Sequence, residues 1–459
     1  MAAKLRMQQV TVPVEGTGFT ALVTPDGELI PFEFSGWKEE TEAFVKTAYL
    51  AAAISESWFP YTVKGPHAND FMASVCTNNF ENAPVGKSKH AMILTPGGTI
   101  SGDGVVLRVA EDEWLTTCLY PIIDFYLDQA HARGEFLDVV GTDESRRMCL
   151  YQVGGPKSLE ILERATGQDL HDIEYLHFRN VELAGKTVRI FRLGMAGTLA
   201  YEVHCDFDGA CDVYNAILAA GQDYGIVRQA YHAYMMNHTE NGFEQASLHF
   251  MYDYTGVEGL LDWVREKMPW FESYLGAPAI VGSETDARKA FFVSPYDIGW
   301  GYLVSFKHDF PGKEACLAKK ADHLECVTLE WNAEDIAKVY QSQFDGSECP
   351  YMPMDDVNDF LMFDFFSGKS FMHADKVLNG AGEQVGISSG RGQIAHYHRM
   401  ISLASVEPAY AAEGTELKVL WGSPEHPQIE IRAKVAQFPY IRLPLNADFD
   451  VSKVPHGNR

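Results

Sequence analysis

The 459 residues carry 63 acidic against 37 basic side chains, a net charge of −26, with 46% hydrophobic and 12% aromatic residues. At about 150 residues per domain, this length and apolar content predict two or three folded domains and exclude disorder of the chain as a whole. The negative excess repels phosphate backbones and anionic lipid, and no Lys/Arg run overrides it, so neither nucleic acid nor a membrane is an expected partner.

In chain order, the apolar stretches around Pro25-Asp26-Gly27 predict a hairpin. Acids early and Phe44, Tyr49 and Leu50 later predict an amphipathic helix over Lys38–Ala53, its acids at the positive end of the dipole. SWFPYTVKGPHANDFMASV reads as a strand, a Gly65-Pro66 turn and a short helix. HAMILTPGGTISGDGVVLRVAEDEWLTTCLY reads as three strands with turns at Pro96-Gly97-Gly98 and Ala110-Glu111-Asp112. After a helix around Ile122–Arg133, MCLYQVGGPKSLEILERATG repeats the strand, Gly-Pro turn and helix, with Gly155-Pro156 ninety residues after Gly65-Pro66. That echo suggests two related halves of one α+β domain. KTVRIFRLGMAGTLAYEVHCDFDGACDVYNAILAAG adds a strand pair and a helix.

The acidic, aromatic segment Asp335–Asp375 is expected as an inserted or irregular stretch over the surface. Beyond it, GEQVGISSGRG, RMISLASV, GTELKVLWG and IEIRAKVAQFPY predict short strands forming a small β barrel. A boundary near 315–325 then separates one domain, residues 1–318, built of two interleaved subdomains, from a barrel domain, residues 319–459, that carries the insertion.

Rossmann and P-loop chemistry are set aside, because no GxGxxG follows a strand and no GxxxxGK[ST] occurs. Ser388-Ser389-Gly390-Arg391-Gly392 reads as a tight hairpin turn, with a small anion nest as the alternative. The eight cysteines form no CxxC pair and are expected to be reduced and mostly buried. His396 and His398 would share one face of a strand, a solvated face more simply than a metal pair, and no metal is expected. MAAKLRMQQV leads into polar residues without an apolar core, and no stretch reaches 18 consecutive apolar residues, so the expected location is the cytoplasm.

GGPKSLEIL, LGMAGTLAYEVHC, HAYMMNHTENGF, SPYDIGWGYLVSFKHDFPGKEA, GISSGRG and KVAQFPY occur in an order that resembles the folate-binding aminomethyltransferase (glycine-cleavage T-protein) superfamily. The resemblance spans residues 35–440 and is best over Val153–Lys313. Length, the acidic aromatic insertion and the wording TPGGTISGDGVV, SPYDIGWG and HDFPGKEA are most similar to the tetrahydrofolate-dependent O-demethylases of methoxylated aromatic acids, the vanillate and syringate type. The resemblance implies an α+β, T-protein-like fold of two related α/β subdomains plus a C-terminal small β barrel. It also implies tetrahydrofolate as cosubstrate, and methyl transfer from an aryl ether oxygen to N5, giving a phenol and 5-methyltetrahydrofolate.

Residue by residue, Glu202 falls on the family's carboxylate that grips the folate pterin, a job suited to a group that accepts two parallel hydrogen bonds from a guanidine-like edge. Asp103 matches the second of two adjacent acids in the glycine-cleavage motif, whose first is missing here; it faces folate or caps a turn. Phe243 sits where relatives carry an apolar wall against the folate. Aryl oxide is a poor leaving group that needs a proton or a hydrogen bond as charge develops. Tyr234 aligns with an active-site tyrosine and is the first choice for that donor, a buried core Tyr being the alternative. His238, on the same face if the segment is helical, is the second choice.

Two departures reshape the expected substrate pocket. The adjacent His pair of vanillate-type enzymes is replaced by Ile54-Ser55-Glu56-Ser57-Trp58, and the Arg that holds the substrate carboxylate falls on Leu119. Trp58, Phe59, Tyr61 and Tyr120 would make the pocket more aromatic, or are ordinary core aromatics. An unpaired buried anion is costly, so a carboxylate held as vanillate holds it is disfavoured. An ortho-methoxybenzoate such as dicamba, slightly preferred, and a neutral methoxyphenol remain. The competing functions are aminomethyl transfer in a glycine-cleavage system, which the lost acid weakens, and folate binding without catalysis.

Overall fold

The computed structural model describes residues 20–23, 29–52, 59–145, 147–195, 197–269, 277–359, 362–364 and 369–457. Two sheets and a barrel organise the chain. The six-stranded sheet runs in the order Phe178–Leu183, Lys186–Phe191, Ala200–Asp206, Met148–Gly154, Ala48–Ala51, Ile226–Gln229. It is antiparallel except for its last pair. Helices Ser158–Thr166 and Ala210–Gly221 supply Leu159, Leu162, Val213 and Ile217 to a core closed by Tyr151, Val203 and their neighbours. The five-stranded sheet is antiparallel, in the order Ser88–Leu94, Ile100–Ala110, Glu113–Thr116, Tyr61–Lys64, Val140–Asp143. Its core draws on helices Ala68–Val75, Ile122–Ala132 and Leu260–Lys267.

The ninety-residue echo in the sequence is a structural repeat. Gly65 and Gly155, at φ +147° and +115°, each turn the chain from a strand into a helix. A side chain at Gly65 would strike the Asp138 carbonyl at 2.0 Å, and one at Gly155 the Thr47 carbonyl at 2.7 Å. The two halves meet where Lys87 bridges His177: Ser88 N donates to Leu176 O at 2.9 Å and Phe178 N to Gly86 O at 3.0 Å. Each bond is the other's counterpart under a shift of ninety residues, as a pseudo-two-fold axis requires.

The barrel closes in the order Glu325–Trp331, Arg399–Val406, Gln384–Ile394, Asp375–Leu378, Glu416–Trp421, Ile429–Ala436. Along Ile429–Ala436 buried and exposed residues alternate, which turns Ile431, Ala433 and Val435 inward. Closure leaves these strands no open edge. The α+β architecture with a C-terminal barrel is as expected.

Four local expectations need correction. The helix expected over Lys38–Ala53 covers only Trp37–Lys46; Ala48–Ala51 is a strand, buried throughout and flanked on both sides. A short run buried on every side has no periodicity to separate strand from helix. Ser388–Gly392 is no hairpin turn but part of strand Gln384–Ile394, bulged between Ser389 and Gly392. Gly390 there takes φ +58° and lies so close to His249 that a Cβ would meet Nε2 at 2.3 Å. His396 belongs to a 3-10 turn, not a strand, and its Nε2 is 2.8 Å from Glu240 Oε1, so it is neither solvated nor paired with His398. The expected irregular segment Asp335–Asp375 begins inside helix Ala333–Ser342, capped by Asn332 Oδ1. The strands Thr20–Val23 and Leu29–Glu33 pair as the expected hairpin, whose Pro25-Asp26-Gly27 turn lies outside the described residues.

Candidate active site

Strand pairing places the first cluster. Glu202 lies opposite Gln152 on one side and Phe191 on the other, and His204, two residues on, lies opposite Arg189. Tyr49 OH donates to Gln152 Oε1 at 3.1 Å, Met195 N donates to the same oxygen at 3.2 Å, and Gln152 Nε2 thereby faces Glu202 Oε1 at 3.4 Å. Gly154 makes room for this: a Cβ there would meet Tyr49 Cζ at 2.6 Å. Arg189 Nη1 approaches His204 Nδ1 at 3.5 Å, which leaves the His204 proton on Nε2, donated to Glu202 Oε2 at 2.9 Å. Burial and the Arg189 charge hold His204 well below its ordinary pKa, so this contact is a hydrogen bond from a neutral ring and not an ion pair. Burial raises Glu202 to about 8 against the pull of Gln152.

The second cluster belongs to the five-stranded sheet. Asp103 lies opposite Met92, so His90 is its diagonal neighbour, and His90 Nε2 is 2.7 Å from Asp103 Oδ2. Tyr252 OH donates to Asp103 Oδ1 at 2.7 Å. Asp103 is therefore on a strand with two side-chain partners, not in a turn capping the backbone. Cys118, at φ +60°, joins the clusters: burial first, then the charges of Asp103 and Glu202, push its thiol up to about 12.

The third contribution is helix Tyr231–Glu240, which follows the edge strand Ile226–Gln229. Tyr234 and His238 share a face as expected, ring centroids 5.3 Å apart and nearly perpendicular. Burial, Tyr49 and the charge of Glu202 push Tyr234 well above its ordinary value, so it carries its proton. Burial lowers His238 to about 3 against a backbone hydrogen bond with Phe243, so the ring is neutral, and the nitrogen that does not meet Phe243 is buried with no partner among the described residues. A buried polar group left so costs about 1–3 kcal/mol, a deficit a ligand atom would relieve. Phe243 packs 6.2 Å from His238, 5.4 Å from His90 and 5.1 Å from Trp300.

Glu202, Asp103, Tyr234, His238 and Phe243 thus form one connected group. Tyr61 and Tyr120 stack on each other at 5.5 Å, and the Tyr61 hydroxyl donates to Asp124 within the core of the five-stranded sheet, against which Tyr252 also packs. Leu119 is fully buried in that core, against Gly102 and Gly104. Phe59, at φ +44°, is partly exposed, and Trp58 lies outside the described residues. Sequence reading missed Gln152, His204, Arg189, His90, Tyr252 and Trp300. Each is recruited by cross-strand register or by a loop from another element, neither of which leaves a local signal.

The model of the GCVT N-terminal domain matches residues 29–267. The chain is 42% identical over 433 residues to the sesamin methylene transferase of Sinomonas sp. (strain No.22), covering 93% of each. It is 32% identical over 435 residues to the syringate O-demethylase of Sphingobium sp. (strain NBRC 103272 / SYK-6), covering 90% of each. Among solved structures, the glycine cleavage system aminomethyltransferase T of Bartonella henselae superposes with a TM-score of 0.66 over 93% of this chain and 96% of that one. Its 14% identity makes this a likeness of fold. The chain therefore belongs to the GCVT family within the aminomethyltransferase superfamily, and it is a transferase of the branch that holds O-demethylases and methylene transferases.

Proposed function

We propose that the protein transfers a one-carbon unit from an aromatic ether to tetrahydrofolate, and that its reaction is O-demethylation of a methoxylated arene, giving a phenol and 5-methyltetrahydrofolate. The observation that carries the reading is the joining of a buried carboxyl group, a protonated tyrosine and a buried neutral histidine beside an aromatic wall. These groups fit a reduced pterin: Glu202 accepts from its guanidine-like edge, and Phe243 with Trp300 offers apolar surface to its face. When bound, tetrahydrofolate supplies the N5 amine that takes the carbon.

Gln152 and His204 hold Glu202 at both oxygens, so its orientation is set before the ligand arrives. Tyr234 donates toward the ether oxygen, and His238, neutral throughout the physiological range, orients the reacting groups or serves as second donor. As the carbon–oxygen bond breaks, the oxygen gains the proton that the amine gives up, so the exchange is balanced without an oxidant. Alignment of amine and carbon supplies much of the rate, about 7–11 kcal/mol in favourable cases. Asp103, held by Tyr252 and His90, is assigned in this reading to the folate side.

Leu119, which falls where the resemblance puts the carboxylate-holding Arg, is buried in the core, so the candidate substrates stay an ortho-methoxybenzoate of the dicamba type and a neutral methoxyphenol. A second reading rests on the 42% identity to a sesamin methylene transferase: a methylenedioxy ring would yield a catechol and 5,10-methylenetetrahydrofolate, both displaced amine protons passing to the catechol oxygens.

Purified protein incubated with tetrahydrofolate and a panel of methoxyphenols, methoxybenzoates and methylenedioxybenzenes, followed by mass spectrometry, separates these. Stoichiometric phenol with 5-methyltetrahydrofolate establishes demethylation. Catechol with the methylene form establishes the second reading. Folate binding with no arene consumed overturns both, and leaves aminomethyl transfer or folate binding alone.

A further inference from the structure

Four side chains from three stretches of chain converge away from that site. They are Glu163 on helix Ser158–Thr166, Asp169 and His171 in the loop after it, and His456 near the C-terminus. One ligand atom from each lies within 4.8 Å of the others. His171 Nδ1 stands 2.8 Å from Glu163 Oε1 and 3.3 Å from Asp169 Oδ1. His456 Nδ1 stands 3.3 Å from Glu163 Oε2 and 4.0 Å from Asp169 Oδ1. Around a tetrahedral cation with bonds of about 2.1 Å, ligand atoms lie about 3.4 Å apart. The four separations found here, 2.8, 3.3, 3.3 and 4.0 Å, bracket that edge.

The outer contacts have the same form. His171 Nε2 is 3.0 Å from the Val454 carbonyl, which it meets as a donor, and Nδ1 faces Glu163 Oε1. Donation of the far ring N–H to a backbone carbonyl is how metal-binding histidines are oriented. Glu163 is fully buried, and its two oxygens accept from Leu170 N and Gly457 N, each at 2.9 Å. The two imidazole rings lie with their centroids 4.1 Å apart beside Glu163 and Asp169.

We propose that Glu163, Asp169, His171 and His456 bind one Zn2+, a structural ion that clamps the C-terminal segment to helix Ser158–Thr166. Two imidazoles with two carboxylates in a four-coordinate array suit Zn2+ over Mg2+ or Ca2+, which prefer more oxygen ligands. The site is independent of the transferase reading.

The test uses the full chain, stripped with a chelator, titrated with Zn2+ by calorimetry and with Co2+ by visible absorption. One Zn2+ per chain is expected, with Co2+ bands of a four-coordinate complex. The partly exposed His456 can be replaced without opening a core, so His456→Ala should fold and bind at least about a hundredfold more weakly, with His171→Gln behaving alike. His67→Ala, at an exposed His–Asp pair, should bind as the parent does. Zn2+ should raise the melting temperature of the parent and not of His456→Ala. Absence of a stoichiometric site, unchanged binding in His456→Ala, or equal affinity for Ca2+ would overturn the proposal.

Discussion

Glu202 is the residue whose behaviour is most constrained by its surroundings. Its carboxyl, at about 8, must under the proposed function be ionised to accept a pterin's donors. Binding therefore releases a proton. Apparent folate affinity should rise about tenfold per pH unit up to pH 8 and level off above it, since each pKa unit is a tenfold factor. Isothermal titration between pH 6 and 9 would show this slope, and Glu202→Gln should abolish it while weakening binding by about 10- to 100-fold through loss of a charged acceptor. Tyr234 is expected to act at a different step. Tyr234→Phe should keep the folate dissociation constant and lower turnover by about a hundredfold or more, the usual range for a lost general acid. An unchanged turnover would leave Tyr234 as a core residue and move the role to His238. With His238 at about 3, no acidic limb of the rate profile between pH 5 and 8 should belong to that ring. The candidates Glu202, Tyr234, His238 and Phe243, which the fold brings together, could be named from sequence because each sits in a distinctive stretch. Their partners could not, because Gln152 lies 50 residues from Glu202 and becomes its neighbour only through strand register.

At the scale of elements, strands with alternating burial and helices bounded by Gly-Pro turns were readable from sequence. The wholly buried strand Ala48–Ala51 was not, since only its place between two other strands distinguishes it from the end of a helix. That strand also carries Tyr49, which reaches Gln152 across Gly154. Gly154→Val should therefore force the Tyr49 ring away, costing about 1–3 kcal/mol by overpacking. It should weaken folate binding too, as Gln152 loses its anchor. Thermal melting and folate titration of the same variant test the two effects together. A variant that melts normally and binds normally would show that Tyr49 does not steady Gln152. Ser388–Gly392 shows the opposite failure: its glycines look like a turn, but one of them is there because His249 occupies the space of a side chain.

The whole molecule is held across long sequence distances by a return of its C-terminal segment to the six-stranded sheet. Buried Arg192 donates to Asn446 Oδ1, Asn446 O and Phe449 O at 3.1, 2.8 and 2.9 Å, and Asn446 Nδ2 donates to Ala200 O at 3.0 Å, two residues before Glu202. Arg192→Ala would leave these buried acceptors without partners, at about 1–3 kcal/mol each. Its melting temperature should fall by several degrees, with a parallel loss of folate affinity because the strand bearing Glu202 is loosened. A normal melting curve would show that the C-terminal segment docks without Arg192. By itself the sequence determined the acidic character, the duplicated strand, Gly-Pro, helix unit and the family, because composition, local periodicity and motif order are properties of neighbouring residues. Tertiary structure alone decided which groups surround Glu202 and Asp103, and that Tyr61 is spent on Asp124. It also decided that His238 is buried and neutral, because hydrogen-bond partners and burial depend on which distant segments the fold brings together.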